Sequence, residues 1–171
     1  MSGITYNGVA MSSIGSKVES FFSVELWGLA NPATGSNTVE VTLSGIADTV
    51  ANASSFTGAA TTTEGFASAS NTTGDATVDV TTVEDNDWVV DSVVASDGTI
   101  TVGAGQTQRQ NVSGSVAMST EGPKTPAGSV TMSWTDLELA TWAIVAVALK
   151  PLAVPDQPFQ PWQQRAPILA H

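Results

Sequence analysis

Apolar and polar positions alternate with a period of two along much of this chain, which is the pattern of half-buried β-strands. Thr38–Leu43 is the cleanest case, with Val39, Val41 and Leu43 expected inward and Thr38, Glu40 and Thr42 outward. Gly128–Trp134 puts Val130, Met132 and Trp134 in one register. Val18–Leu29 predicts one long strand, with Phe22, Val24 and Leu26 on one face and Glu19 and Glu25 in the other register. Asn31-Pro32-Ala33-Thr34-Gly35 then reads as a turn. Trp88–Ala95 predicts a strong strand, followed by an Asp97-Gly98 hairpin turn and a short strand over Thr99–Val102. Thr49–Phe56 and Ala76–Val83 are weaker candidates, the second with Val78 and Val80, and Val112–Ser119 is a candidate for another short strand. Thr141–Leu149 is almost continuously apolar, as expected of a central strand buried on both faces.

These segments give about eight to ten strands separated by Gly, Asn, Ser and Asp turns. No amphipathic helix of three turns appears; Asp136–Ala140 has room for one helical turn. The Ser, Thr and Ala run from Ala51 to Thr73 is low in complexity and reads as long loops. The expected fold class is all-β: an antiparallel β-sandwich of jelly-roll type with an extended, proline-rich C-terminal arm. An immunoglobulin-like strand order would share the same alternation.

Composition supports the β reading. The 171 residues include 22 Thr, 19 Ser and 22 Ala, and only 12% are charged. β-branched and small residues at such levels, with few Lys and Glu, favour sheet over helix. The length suits one domain with a tail. Charge excludes several functions. Five Lys and Arg against 16 Asp and Glu give a net −11, the wrong sign for nucleic acid or an anionic membrane surface. No cysteine is present, so disulfides and thiolate chemistry are absent. The only histidine is His171, so no interior His can serve a catalytic triad or a zinc site. The N-terminus lacks a basic start and a long apolar run, so a product of the cytoplasm without signal peptide is expected.

The chain divides near Lys150-Pro151. Residues 1–150 hold 4 basic and 15 acidic side chains and form the sandwich body. Residues 151–171 are neutral overall and hold five of the eight prolines, which forbids a regular helix and favours extended backbone. This arm could reach roughly 65 Å at 3.1 Å per residue. It also carries Leu152, Val154, Phe159, Trp162, Ile168 and Leu169, more apolar groups than a solvated linker needs. These six are the candidate docking residues, because large apolar side chains dominate the energy of docking.

Other constellations have plainer readings. Glu84-Asp85-Asn86-Asp87 could offer oxygens to Ca²⁺, but it lacks the spacing of an EF-hand loop and reads better as a solvated turn. A two-carboxylate or metal-assisted hydrolase would draw on Asp85 and Asp87. A glycan-binding module would need an exposed aromatic platform, for which Trp27 and Trp88 are the candidates; Trp134 and Trp142 follow core registers. No catalytic residue, cofactor site or metal site is assigned.

The stretches Val24-Glu25-Leu26-Trp27-Gly28-Leu29-Ala30-Asn31-Pro32-Ala33-Thr34-Gly35 and Thr38–Ser44, with Trp142–Pro151, resemble small β-sandwich domains of tailed-phage virion proteins. The similarity spans most of residues 4–151 and leaves the arm outside. It implies a structural role: a capsid decoration or cement protein, or a fibre head or tail appendage. Decoration of an outer shell is the first expectation, with the arm lying on the major capsid protein or another virion protein. A homo-oligomer, such as a trimer, fits that setting. The alternative expectation is a glycan-binding module of a fibre or tail appendage.

Overall fold

The computed structural model describes residues 3–96, 99–112, 115–135 and 140–153. Every regular element among them is a β-strand: β1 (Gly3–Tyr6), β2 (Val9–Ala10), β3 (Ser12–Glu19), β4 (Phe22–Gly28), β5 (Val39–Thr42), β6 (Ala59–Asn71), β7 (Ala76–Thr81), β8 (Asp87–Ala95), β9 (Thr101–Val102), β10 (Thr107–Val112), β11 (Val116–Lys124), β12 (Ser129–Thr135) and β13 (Trp142–Pro151). All pairings are antiparallel. The protein is therefore all-β. Among the described residues no helix is long and apolar enough to cross a membrane.

The principal sheet runs β10-β11-β8-β13-β6. β13 lies inside it because its apolar run satisfies two faces at once. Ile144, Ala146 and Ala148 join Val89 and Val93 of β8 on one face. There they meet Val78 and Val80 of β7 and Val130, Met132 and Trp134 of β12, in the sheet β7-β12-β9. Ala143, Val145 and Val147 point the other way, toward Val24, Leu26 and Ile14 of the β3-β4 hairpin. The principal sheet is thus covered on both faces. A third small sheet, β2-β1-β5, completes the N-terminal part.

Strands form over 76–81, 87–95, 129–135 and 142–151, where they are expected; Val78, Val80, Val130, Met132 and Trp134 are buried in alternation, and β13 is buried almost continuously. Five expectations fail. Val18–Leu29 is not one strand: the chain reverses at Ser20-Phe21, where Ser20 takes φ 55, and β3 pairs back on β4. Val39 and Leu43 are exposed rather than inward, because β5 pairs with β1 outside the main stack. Residues 59–71 are a 13-residue strand, not a loop, and Thr49–Phe56 forms none. In β6 the small Ala67 and Ala69 pack against the core, so burial there needs no large apolar residue. Val112–Ser119 straddles the junction of β10 and β11, which pair with each other. Asp97-Gly98 and residues 136–139 lie outside the described residues.

Candidate functional site

A bulge in β11 borders a surface cleft. Between Glu121 and Lys124 the register against β8 shifts, and Gly122 takes φ 148. A Cβ at Gly122 would come within 2.9 Å of Trp88 Cδ2 and 3.0 Å of the Asp87 carbonyl. Glycine therefore lets the bulge lie directly against the indole, which L side chains in this backbone region would prevent. Trp88 is left half-buried and faces a cleft of about 610 Å³. Phe56, Pro123 and Pro151 add apolar walls, and Arg109 and Lys150 line it as cations. Arg109 reaches the site from β10, with its Nε–H donating to Thr120 Oγ1 at 2.8 Å. Lys150 bridges Glu64 at 2.9 Å and Glu84 at 3.4 Å. The hydrogen bond and charge of Glu64, with help from Glu84, raise the Lys150 ammonium above its ordinary pKa and keep it charged.

The acidic run beside this cleft organises the β7–β8 connection. Asp87 is fully buried, and its Oδ2 accepts from the Val83 N–H at 3.0 Å and the Glu84 N–H at 3.2 Å. Asp85 Oδ1 accepts from the Ala127 N–H at 2.9 Å. Asn86 takes φ 72, and its N–H donates to the Lys124 carbonyl at 2.8 Å. Asp85 and Asp87 thus each hold backbone amides of this connection and of the segment before β12. Among the described residues no group of three or more His, Asp or Glu is placed to hold a metal ion.

A second polar constellation lies inside the core. Asp91 is fully buried at the register partner of Ser119. Its Oδ1 accepts from the Ser119 N–H at 2.7 Å and Oγ at 2.8 Å. Its Oδ2 accepts from Trp134 Nε1 at 2.8 Å and, more loosely, from Gln106 Nε2 at 3.4 Å. Burial pushes the Asp91 carboxyl up to about 6 despite these donors, because desolvation outweighs them. Trp134 and Trp142 are both buried, and the Trp142 Nε1–H donates to the Gly74 carbonyl at 2.7 Å. The Trp27 indole N–H donates to Glu25 Oε2 at 3.0 Å on β4.

Of the six candidate docking residues, Leu152 alone falls within the described residues. It is 58% exposed, and its N–H donates to the Gly58 carbonyl at 2.6 Å. Val154, Phe159, Trp162, Ile168 and Leu169 lie outside the described residues. The structure brings Trp88 together with Phe56, Arg109, Pro123 and Pro151, a grouping that sequence reading missed. These residues are dispersed over almost a hundred positions. The only local hint is the lone arginine within the polar Gln108-Arg109-Gln110 run. Comparison with family models, with curated proteins and with solved structures finds no match.

Proposed function

We propose that this protein is a structural component of a virion: a capsid decoration or cement protein that docks on an outer shell through its C-terminal arm. The observation that carries this reading is the way the chain leaves the body. β13, the most deeply buried strand, runs straight to Pro151 and hands the chain to the exposed Leu152. An arm tied to the central strand can transmit load into the whole sheet. The net charge of −11 suits an outward face and opposes contact with packaged nucleic acid. In this reading the stacked sheets form a jelly-roll sandwich, and the partner is a major capsid protein or another virion protein. Many identical copies, as trimers or other oligomers, would multiply weak arm contacts.

Co-sedimentation with particles from the source tests the proposal. The cut belongs after Ala153, because Pro151 still pairs with Ala59 and Leu152 with Gly58. The full chain should pellet with the particles, while the truncated chain and a full-length Phe159→Ala/Trp162→Ala variant should stay in the supernatant. A full chain that stays in the supernatant refutes the cement reading.

The second reading, a glycan-binding module of a fibre or appendage, draws on the half-buried Trp88 and on Asn86 in the same cleft. An indole beside hydrogen-bonding side chains can stack on a sugar ring. It ranks second because Arg109 and Lys150, not carboxylates, flank that indole. Tryptophan fluorescence unmoved by a panel of cell-wall sugars would count against it.

A further inference from the structure

The Trp88 cleft is where cations gather on an acidic protein. Residues 1–150 contain four Lys and Arg, and two of them, Arg109 and Lys150, line this one cleft. Among the described residues Arg109 has no carboxylate within ion-pair distance. The walls beside it are aromatic and proline: Phe56, Trp88, Pro123 and Pro151. Aromatic-walled grooves are the usual receptors for proline-rich segments, which are stiff beforehand and lose little entropy on binding. An unpaired cation at the rim asks for an acid in that segment.

Such a segment occurs in this chain. Residues 155–162 read Pro155-Asp156-Gln157-Pro158-Phe159-Gln160-Pro161-Trp162. Proline recurs every third residue, the turn of a polyproline-II helix. Asp156, Phe159 and Trp162 share the same period, so a polyproline-II backbone would set an acid and two aromatics along one edge, roughly 9 Å apart. Asp156 is the one acidic residue of 151–171. We propose that the Trp88 cleft receives residues 155–162 of a second copy of this chain, with Asp156 meeting Arg109 and the aromatics meeting the apolar walls. A second copy is favoured over the same chain for a steric reason. Pro155 follows the cleft residue Pro151 by only four positions, and residues preceding proline are biased to extended backbone. A return to its own cleft would have to be made within Leu152–Val154. The inference rests on reading residues 151–171 as a docking arm, and it assigns that arm a receptor.

The absence of cysteine makes a trapping experiment clean. Full-length Thr57→Cys, placed in the cleft, is mixed with full-length Gln160→Cys and oxidised. The control pairs Gln160→Cys with Thr131→Cys, an exposed site on β12. The mixed disulfide with Thr57→Cys should form at least about tenfold faster than the control. Adding Arg109→Glu to the cleft copy should slow it about tenfold, and Asp156→Arg in the arm copy should restore most of that loss. Equal rates for the two pairs would overturn the proposal, as would indifference to the charge reversal. A Thr57→Cys/Gln160→Cys double variant that closes on itself, where mixed single variants do not link, would overturn the second-copy assignment. Quenching by a cell-wall oligosaccharide that Trp88→Phe abolishes, with cross-linking at control level, would make the cleft a glycan site instead. Cross-linking at control level by a chain that still pellets with particles would sink this inference alone. A chain that also fails to pellet would sink the docking reading itself.

Discussion

At position 91 the alternation of β8 places a carboxylate where Val89 and Val93 place apolar side chains. Ala146, its register partner on β13, leaves room for it, and Ser119, Trp134 and Gln106 supply donors. The carboxyl is raised from 3.8 to about 6 by burial. A carboxyl that binds its proton more tightly when folded favours the folded state in acid. Its contribution is complete below about pH 4 and is lost as pH rises through about 6. That window corresponds to about 3 kcal/mol at 1.36 kcal/mol per pKa unit. Urea unfolding of the wild type and of Asp91→Asn between pH 4 and pH 7.5 isolates this group, since both share every other titration. The wild type should gain about 3 kcal/mol more than the variant on acidification. Parallel stability curves would show that the four donors cancel the desolvation.

Among the elements, legibility followed side-chain size. β7, β8, β12 and β13 could be read from the sequence because Val, Ile, Met and Trp mark their inward positions. β6 could not, because the residues it packs on the core are the small Ala67 and Ala69 while its one large apolar residue, Phe66, is part-exposed in the other register, so the alternation carries little signal. β10 was missed because Thr107–Val112 is almost wholly polar at the sheet edge. The turn between β3 and β4 was missed because Ser20-Phe21 carries no Gly, Asn or Pro. The cleft was legible only at Trp88, since its other walls come from four separate segments. β6 also contains a testable joint. Gly65 takes φ 61, and a methyl there would overlap the Thr81 carbonyl oxygen and approach Val80 Cγ1 to 3.3 Å. The register against β13 shifts at this point, between Ala67 and Glu64. Gly65→Ala should destabilise by about 2–4 kcal/mol through backbone strain and overlap together. A shift in the urea midpoint worth less than about 0.5 kcal/mol, the usual range for a neutral surface change, would show that the joint is not needed.

For the whole molecule, the decisive feature is a principal sheet that cannot stand with one face bare. Without the β3-β4 hairpin, Ala143, Val145 and Val147 would face water beside Val90 and Met118. Such an apolar face on a sheet invites association with other chains. The hairpin is therefore a structural cover, and its removal should unfold or aggregate the protein instead of leaving a smaller stable domain. Val24 is the residue on which this turns, 6% exposed and packed on Ala143 and Val145. Val24→Asp would bury a carboxylate against Ala143 and Val145, and its register partner Lys17 on β3 would offset only part of the desolvation. A carboxylate in apolar surroundings must either take up a proton or pull the hairpin away into water. Either route should cost about 3–5 kcal/mol, and the second should expose the principal sheet to a hydrophobic dye. Fluorescence and far-ultraviolet circular dichroism should still report one coincident transition for the wild type, as a jointly covered sheet requires. Dye binding by Val24→Asp under conditions where the wild type binds none would establish the hairpin as the second cover. A variant as stable and as dye-free as the wild type would mean that the principal sheet stands on the Met132–Trp134 core alone, with the hairpin a passenger.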